Sequence, residues 1–182
     1  PKLAAGQVMV DVHAASVNGA DWRVVAGSYG PVAFFPYSPG RDFSGVVSAL
    51  GAGVKDFKVG DEVFGVCDVG TEAAYAEKVA INEAILARKP AGLTHVESAA
   101  VALIGLTALI SVEDTLQLKK GETILVQGGA GGVASFAIQI AKHIGARVIT
   151  TASAANHAYV KSLGANVAVD YNKDDFTKVV SN

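Results

Sequence analysis

Thr123-Ile-Leu-Val-Gln-Gly-Gly-Ala-Gly-Gly-Val-Ala134 carries an apolar, β-prone run into glycines and straight on into a helical pattern. Residues of these types at this spacing suit the binding of a dinucleotide diphosphate. Gly129, Gly131 and the small Ala134 fit G-x-G-x-x-G/A, which uses one glycine for a tight turn and one for backbone approach to the pyrophosphate. The third small residue lets helix and strand pack closely. Main-chain amides of Gly129, Ala130, Gly131, Gly132 and Val133 would cradle the anion, and the helix that follows points its positive end at it.

A glycine run alone marks a flexible loop as readily as a site, so the neighbouring elements decide. Val133, Phe136, Ala137, Ile140 and Ile144 recur with helical spacing, Gly145 stops the helix, and Arg147-Val-Ile-Thr-Thr151 resumes as a strand. A further helix over about 155–163, stopped by Gly164, leads to a short strand at Val167-Ala-Val-Asp170. This is the βαβαβ half of a doubly wound parallel sheet. Upstream the texture differs. Val8, Val10 and Val12 alternate with polar neighbours, and Phe43–Leu50, Asp61–Val66 and Tyr75–Ile81 read as further strands between glycine-rich turns. Such spacing predicts a small antiparallel barrel or rolled sheet. Thr94-His-Val-Glu97 matches a capping box ahead of a helical run from Ser98 to about Leu116, so the domains are read as 1–94 and 95–182.

Half of the 182 residues are apolar, enough for a buried core, and a net charge of −2 without basic runs gives no sign of a nucleic-acid or anionic-membrane partner. No uninterrupted apolar stretch reads as long enough to span a bilayer. The single cysteine, Cys67, excludes an internal disulfide and a multi-cysteine zinc lobe, and fits a buried residue in a reducing, cytoplasmic setting. The four histidines have no metal-ligand spacing, so no metal is expected. Residue 1 is proline and Met9 the only methionine, so the native amino terminus is expected to lie upstream.

Asn18 with Asp21, Pro39-Gly-Arg-Asp-Phe-Ser-Gly-Val-Val47, Gly51-Ala-Gly-Val-Lys-Asp-Phe-Lys-Val-Gly-Asp-Glu-Val63, Gly105-Leu-Thr-Ala108, the glycine turn, and Leu163-Gly-Ala165 with Asp170-Tyr171 follow one another in this order. Together they resemble the medium-chain dehydrogenase/reductase superfamily, and within it the zinc-independent, zeta-crystallin-like quinone oxidoreductases. The resemblance covers essentially the whole chain. It implies a GroES-like β-rich domain, then a Rossmann domain, with substrate bound in the cleft between them. Zinc-dependent members would carry a cysteine soon after the first strand and Gly-His-Glu where this chain has Gly40-Arg41-Asp42. Without a Lewis acid, hydrogen-bond donors must polarise the carbonyl, which favours hydride transfer to quinones or α,β-unsaturated carbonyls.

By the same resemblance Asn18 faces substrate or nicotinamide, Asp21 stands beside it, Tyr29 lines the pocket and Thr107 approaches the nicotinamide. From the residues alone, Asn18-Gly19 followed by Asp21 is more often turn chemistry than catalysis, Thr107 a hydroxyl bonding its own helix, and Arg41 with Asp42 either a structural ion pair or a substrate contact. Cofactor preference turns on the end of the second strand of the βαβαβ unit. Between Thr123 and Val169 there is no Asp or Glu to bind a ribose 2′-hydroxyl. Thr150, Thr151 and Ser153 offer hydroxyls instead, Ser153 also as a helix cap. Tyr171 matches a family position near the 2′-phosphate. Relatives often carry a basic residue after this strand, where His157 and Lys161 are the nearest cations. NADPH is favoured over NADH. The alternatives are a nucleotide-binding structural or regulatory protein of the crystallin kind, and an enoyl-thioester reductase of the same superfamily. The family continues past the third strand of this sheet, so the chain is expected to be part of a longer enzyme, a homodimer where family members pair by the Rossmann sheet edge.

Overall fold

The computed structural model describes residues 2–32, 34–70 and 72–180. They fall into two compact units divided after Leu103.

The first unit is an antiparallel sheet of β1 (Gln7–Ala15), β2 (Asp42–Leu50), β3 (Glu62–Val66), β4 (Lys78–Asn82) and β5 (Leu86–Arg88), in the order β4-β1-β2-β3-β5. Alternation in β1 buries Val8 and Val10, which pair with Ile81 and Val79 of β4. They close a core with Phe43, Val47, Val63, Cys67 and Leu86. Register shifts between Met9 and Val10 and between Val12 and Ala14 bend β1 and curl the sheet, as the short, evenly spaced strands predict. Gly45 makes the bend possible, because a Cβ there would overlap the Asp11 carbonyl oxygen. A short helix α1 (Gly19–Val25) interrupts the link from β1 to β2.

Helix α2 (His95–Leu109) runs on into a π-helical turn, Ile110–Thr115. Its start is the expected capping box: the Thr94 N–H donates to Glu97 Oε2 at 2.8 Å and the Glu97 N–H to Thr94 Oγ1 at 3.2 Å. Residues 95–115 form one helix of 21 residues, long and apolar enough by length and composition to cross a membrane. The core helix of a folded domain passes the same test, and Ser98, Ala99 and Ala102 of this one are buried. Ala108 and Val112, from its last turns, belong to the core of the second unit.

That second unit is a parallel sheet of β6 (Thr123–Val126), β7 (Arg147–Ala152) and β8 (Val167–Asp170), in the order β6-β7-β8. Helices α3 (Gly132–Ile144) and α4 (His157–Ser162) make the crossovers, and α5 (Phe176–Val180) follows β8. Strand β7 is buried from Val148 to Ala152, the pattern of a strand covered on both faces. On α3 the fully packed seam is Ala137, Ile138 and Ala141. It lies beside the expected stripe, leaving Phe136, Ile140 and Ile144 partly buried at its flank and Val133 exposed. Gly145, at φ 89°, ends the helix by donating to the Ala141 and Lys142 carbonyls.

Thr94→Ala is expected to lower stability by about 1 kcal/mol, read by urea unfolding. Bonds from the Thr94 N–H and hydroxyl hold the Glu97 carboxyl below the usual glutamate range. Its contribution should therefore be complete above the ordinary glutamate pKa and fade as pH falls through the lowered, folded-state value.

Candidate functional site

In the second unit the candidate site is the turn between β6 and α3. Gly128 takes φ 66°, and its N–H donates to Thr151 Oγ1 at 2.9 Å. The Gly129 N–H donates to the Thr151 carbonyl at 2.9 Å, and the Gly131 N–H closes onto the Gly128 carbonyl at 2.8 Å. The left-handed turn therefore belongs to Gly128, one residue before the glycine singled out by the fingerprint. Gly129 has a different task. A Cβ on it would overlap Thr150 Oγ1 and stand 2.9 Å from Ile138 Cδ1, so its bareness lets the turn lie against β7 and α3. Gly131 is the extended N-cap of α3, and Gly132 opens the helix where a Cβ would stand 3.2 Å from Ile104. Ala130 packs against the core. The first α3 amide with a carbonyl partner behind it is Ser135, bonded to Gly131 at 2.8 Å. The preceding amides, Gly132 and Val133 included, are the donors a helix start offers an anion. A diphosphate fits this turn.

At the end of β7 the expected hydroxyls separate. Thr150 is fully buried and its Oγ1 donates to the Val126 carbonyl at 2.6 Å. It cannot serve a cofactor phosphate as the sequence reading had it, because its side chain points into the β6–β7 seam. Thr151, also buried, shapes the glycine turn through the two bonds above. Ser153 follows the strand, half-buried, at the start of a 3-10 turn, and its Oγ accepts from Asn156 Nδ2 at 3.1 Å. Tyr171, just past β8, is exposed. Thr107 is exposed on α2, and its carbonyl accepts from Ser111 Oγ at 2.7 Å.

In the first unit, a cavity of about 260 Å³ is lined among others by Asp21, Val24, Tyr29, Tyr37, Arg41 and Glu72. Asn18 stands at the N-cap of α1. Its N–H donates to Asp21 Oδ2 at 2.8 Å, and its Nδ2 donates to Asp42 Oδ1 at 2.7 Å and Ser16 Oγ at 3.3 Å. Asp21 is buried and also accepts the Tyr75 phenol at 2.6 Å. That ring lies so tightly on Gly40, at φ 98°, that any Cβ there would collide with it. Burial, then the Asp21 carboxylate, push the Tyr75 hydroxyl far above the usual phenol range. Tyr37 is pushed up to about 12, first by burial and then by its bond to Glu72. Tyr29 is 64% exposed and is among the residues that line the cavity. Arg41 and Asp42 form no ion pair: Arg41 Nε donates to the Cys67 carbonyl at 3.3 Å, while Asp42 is taken by Ser16, Asn18 and the Leu103 N–H. Tyr75, Tyr37, Glu72 and Gly128 escaped the sequence reading. Only the adjacency of Gly128 to the fingerprint could have signalled any of them.

Among the described residues, no group of three or more His, Cys, Asp or Glu side chains is placed to hold a metal ion. Cys67 is buried, and burial pushes its thiol up to about 11.

A curled antiparallel sheet is followed by the first βαβαβ of a parallel sheet of the dinucleotide-binding kind. Residues 4–91 match the alcohol dehydrogenase GroES-like domain and residues 132–182 the zinc-binding dehydrogenase family. The chain is 37% identical to the NADPH-dependent alkenal/one oxidoreductase, chloroplastic, of Arabidopsis thaliana, over 96% of this chain and 47% of that protein. Among solved structures it is similar to the quinone oxidoreductase of Coxiella burnetii, with TM-score 0.89 and 38% identity over 98% of this chain and 58% of that one. It is also similar to the Escherichia coli quinone oxidoreductase complexed with NADPH, with TM-score 0.88 and 30% identity over 100% and 55%. Enoyl reductases match as well. The chain belongs to the medium-chain dehydrogenase/reductase superfamily, and it spans about half the length of the curated relatives it matches. Those relatives include chloroplast proteins of Arabidopsis thaliana and a mitochondrial protein of Mus musculus, so membership of the family goes with more than one compartment.

Gly129→Ala is expected to cost about 1–3 kcal/mol by overpacking. In denaturant unfolding, Gly129→Ala with Thr150→Ala should lose less than the sum of the two single losses, because the second change removes the obstructing hydroxyl.

Proposed function

We propose that this chain is the substrate-binding domain and the leading half of the cofactor domain of a zinc-independent, NADPH-dependent reductase of quinones and α,β-unsaturated carbonyls. The observation that carries the reading is the glycine turn: a left-handed Gly128, a bare Gly129 against β7, and a helix start free of any capping side chain. Gly129, Ala130, Gly131, Gly132 and Val133 would hold the diphosphate. The absence of a carboxylate from Thr123 to Val169 removes the group that would repel a 2′-phosphate, with Ser153 and Tyr171 the nearest candidates to receive it. Bound there, NADPH supplies the hydride.

The residues of the first unit supply binding and polarisation. Asp21 is an acceptor already occupied by two donors, and the Asn18 amide nitrogen is occupied by Asp42 and Ser16. Of the three candidates, Tyr29 is the one with an O–H to give an acceptor carbonyl in the cavity. The Arg41 guanidinium, on the same wall, is the second donor available. Both would stabilise negative charge as it develops on the carbonyl oxygen. Apolar walls at Ala20, Val24, Pro39 and Val69 suit a flat, neutral acceptor. Reduction of an enoyl thioester is the second reading, favoured by the enoyl reductases among the relatives.

On the full-length protein, adding a quinone or enone to NADPH should give loss of nicotinamide absorbance. Tyr29→Phe should lower kcat about tenfold or more with NADPH affinity unchanged. Tight NADPH binding with no turnover over a panel of quinones, enals and enoyl thioesters would instead favour a binding or structural role.

A further inference from the structure

Asp42 opens β2 and is fully buried. A carboxylate in such a place is costly unless donors surround it, and three do. Ser16 Oγ and Asn18 Nδ2 each reach Oδ1 at 2.7 Å, and the Leu103 N–H reaches Oδ2 at 3.2 Å. Burial pushes the carboxyl up, and these same donors draw it back. An ionised carboxylate can only accept. The Asn18 amide therefore cannot be turned round without setting oxygen against oxygen, so chemistry fixes which end of it faces Asp42. Ser16 Oγ, which spends its hydrogen on Asp42, accepts from the same Asn18 nitrogen at 3.3 Å. Both neighbours select one orientation.

We infer that Asp42 is a positioning residue for Asn18, holding the amide nitrogen inward so that the side chain has only its carbonyl oxygen to present elsewhere. Asn18 then recognises an N–H or O–H donor on a bound molecule and cannot polarise an acceptor carbonyl. This rests on the reading that Asn18 faces substrate or nicotinamide.

The test exchanges the two roles in the full-length protein. Asn18→Asp sets a second carboxylate against Asp42, whereas Asn18→Asp with Asp42→Asn restores one donor and one acceptor with their positions swapped. Asn18→Asp should lose at least about tenfold in kcat relative to Asn18→Ala and melt at a lower temperature, since like charges at hydrogen-bond distance repel strongly. The swapped pair should regain most of both. A role for Asp42 in general packing alone would make Asp42→Asn equally harmful in either background, and failure of the swap to raise the melting temperature of Asn18→Asp would overturn the inference. Should the swapped pair not fold, the pH dependence of Asn18→Asp decides. Its melting-temperature deficit against wild type should shrink as the facing carboxylates take up a proton, and a deficit independent of pH would overturn the pairing. A wild-type protein without turnover would sink the redox reading while leaving the melting measurements to judge Asp42.

Discussion

The second unit is organised by how closely the backbone of one turn can lie against one strand. Gly128 and Gly129 give both their N–H groups to Thr151, and the missing side chain of Gly129 is what leaves Thr150 room to lock β7 onto the Val126 carbonyl. Once that seam is shut, α3 has one place to begin, and its first amides emerge without a capping side chain. A single methyl group in the seam would disturb the strand pairing, the start of the helix and the amide cradle together.

Much of this was legible in the residues. Apolar runs, helix-stopping glycines and the Thr94–Glu97 cap located the elements, because each is a local effect of side-chain type and spacing. What failed to show was which glycine does what. The fingerprint marks a run of small residues, but φ 66° at Gly128 and the collision awaiting a Cβ on Gly129 arise only when β7 is laid alongside. Thr150 illustrates the same limit. A threonine at the end of a parallel strand looks like a phosphate donor, yet the pleat turns its hydroxyl inward and leaves Thr151 to meet the turn.

The first unit was harder to read because its polar contacts join positions far apart in sequence. Tyr75 reaches Asp21 across 54 residues and Asp42 reaches Leu103 across 61. No spacing rule connects such pairs, and Arg41 beside Asp42 suggested an ion pair that the fold does not make. Hydrogen bonds set the three candidate residues apart. Asp21 and the Asn18 nitrogen are spent on holding α1, so their contribution is to shape, while Tyr29 lines the cavity and is largely exposed.

Helix α1 also carries Trp22, the only tryptophan of the chain, next in sequence to Asp21. Its indole is 60% exposed, with the Arg23 guanidinium 5.4 Å from the ring centroid. Among these 182 residues indole emission therefore reports from one place, one residue along α1 from Asp21 of the cavity lining. A molecule that enters that cavity and changes the surroundings of the indole would register in its emission without a label.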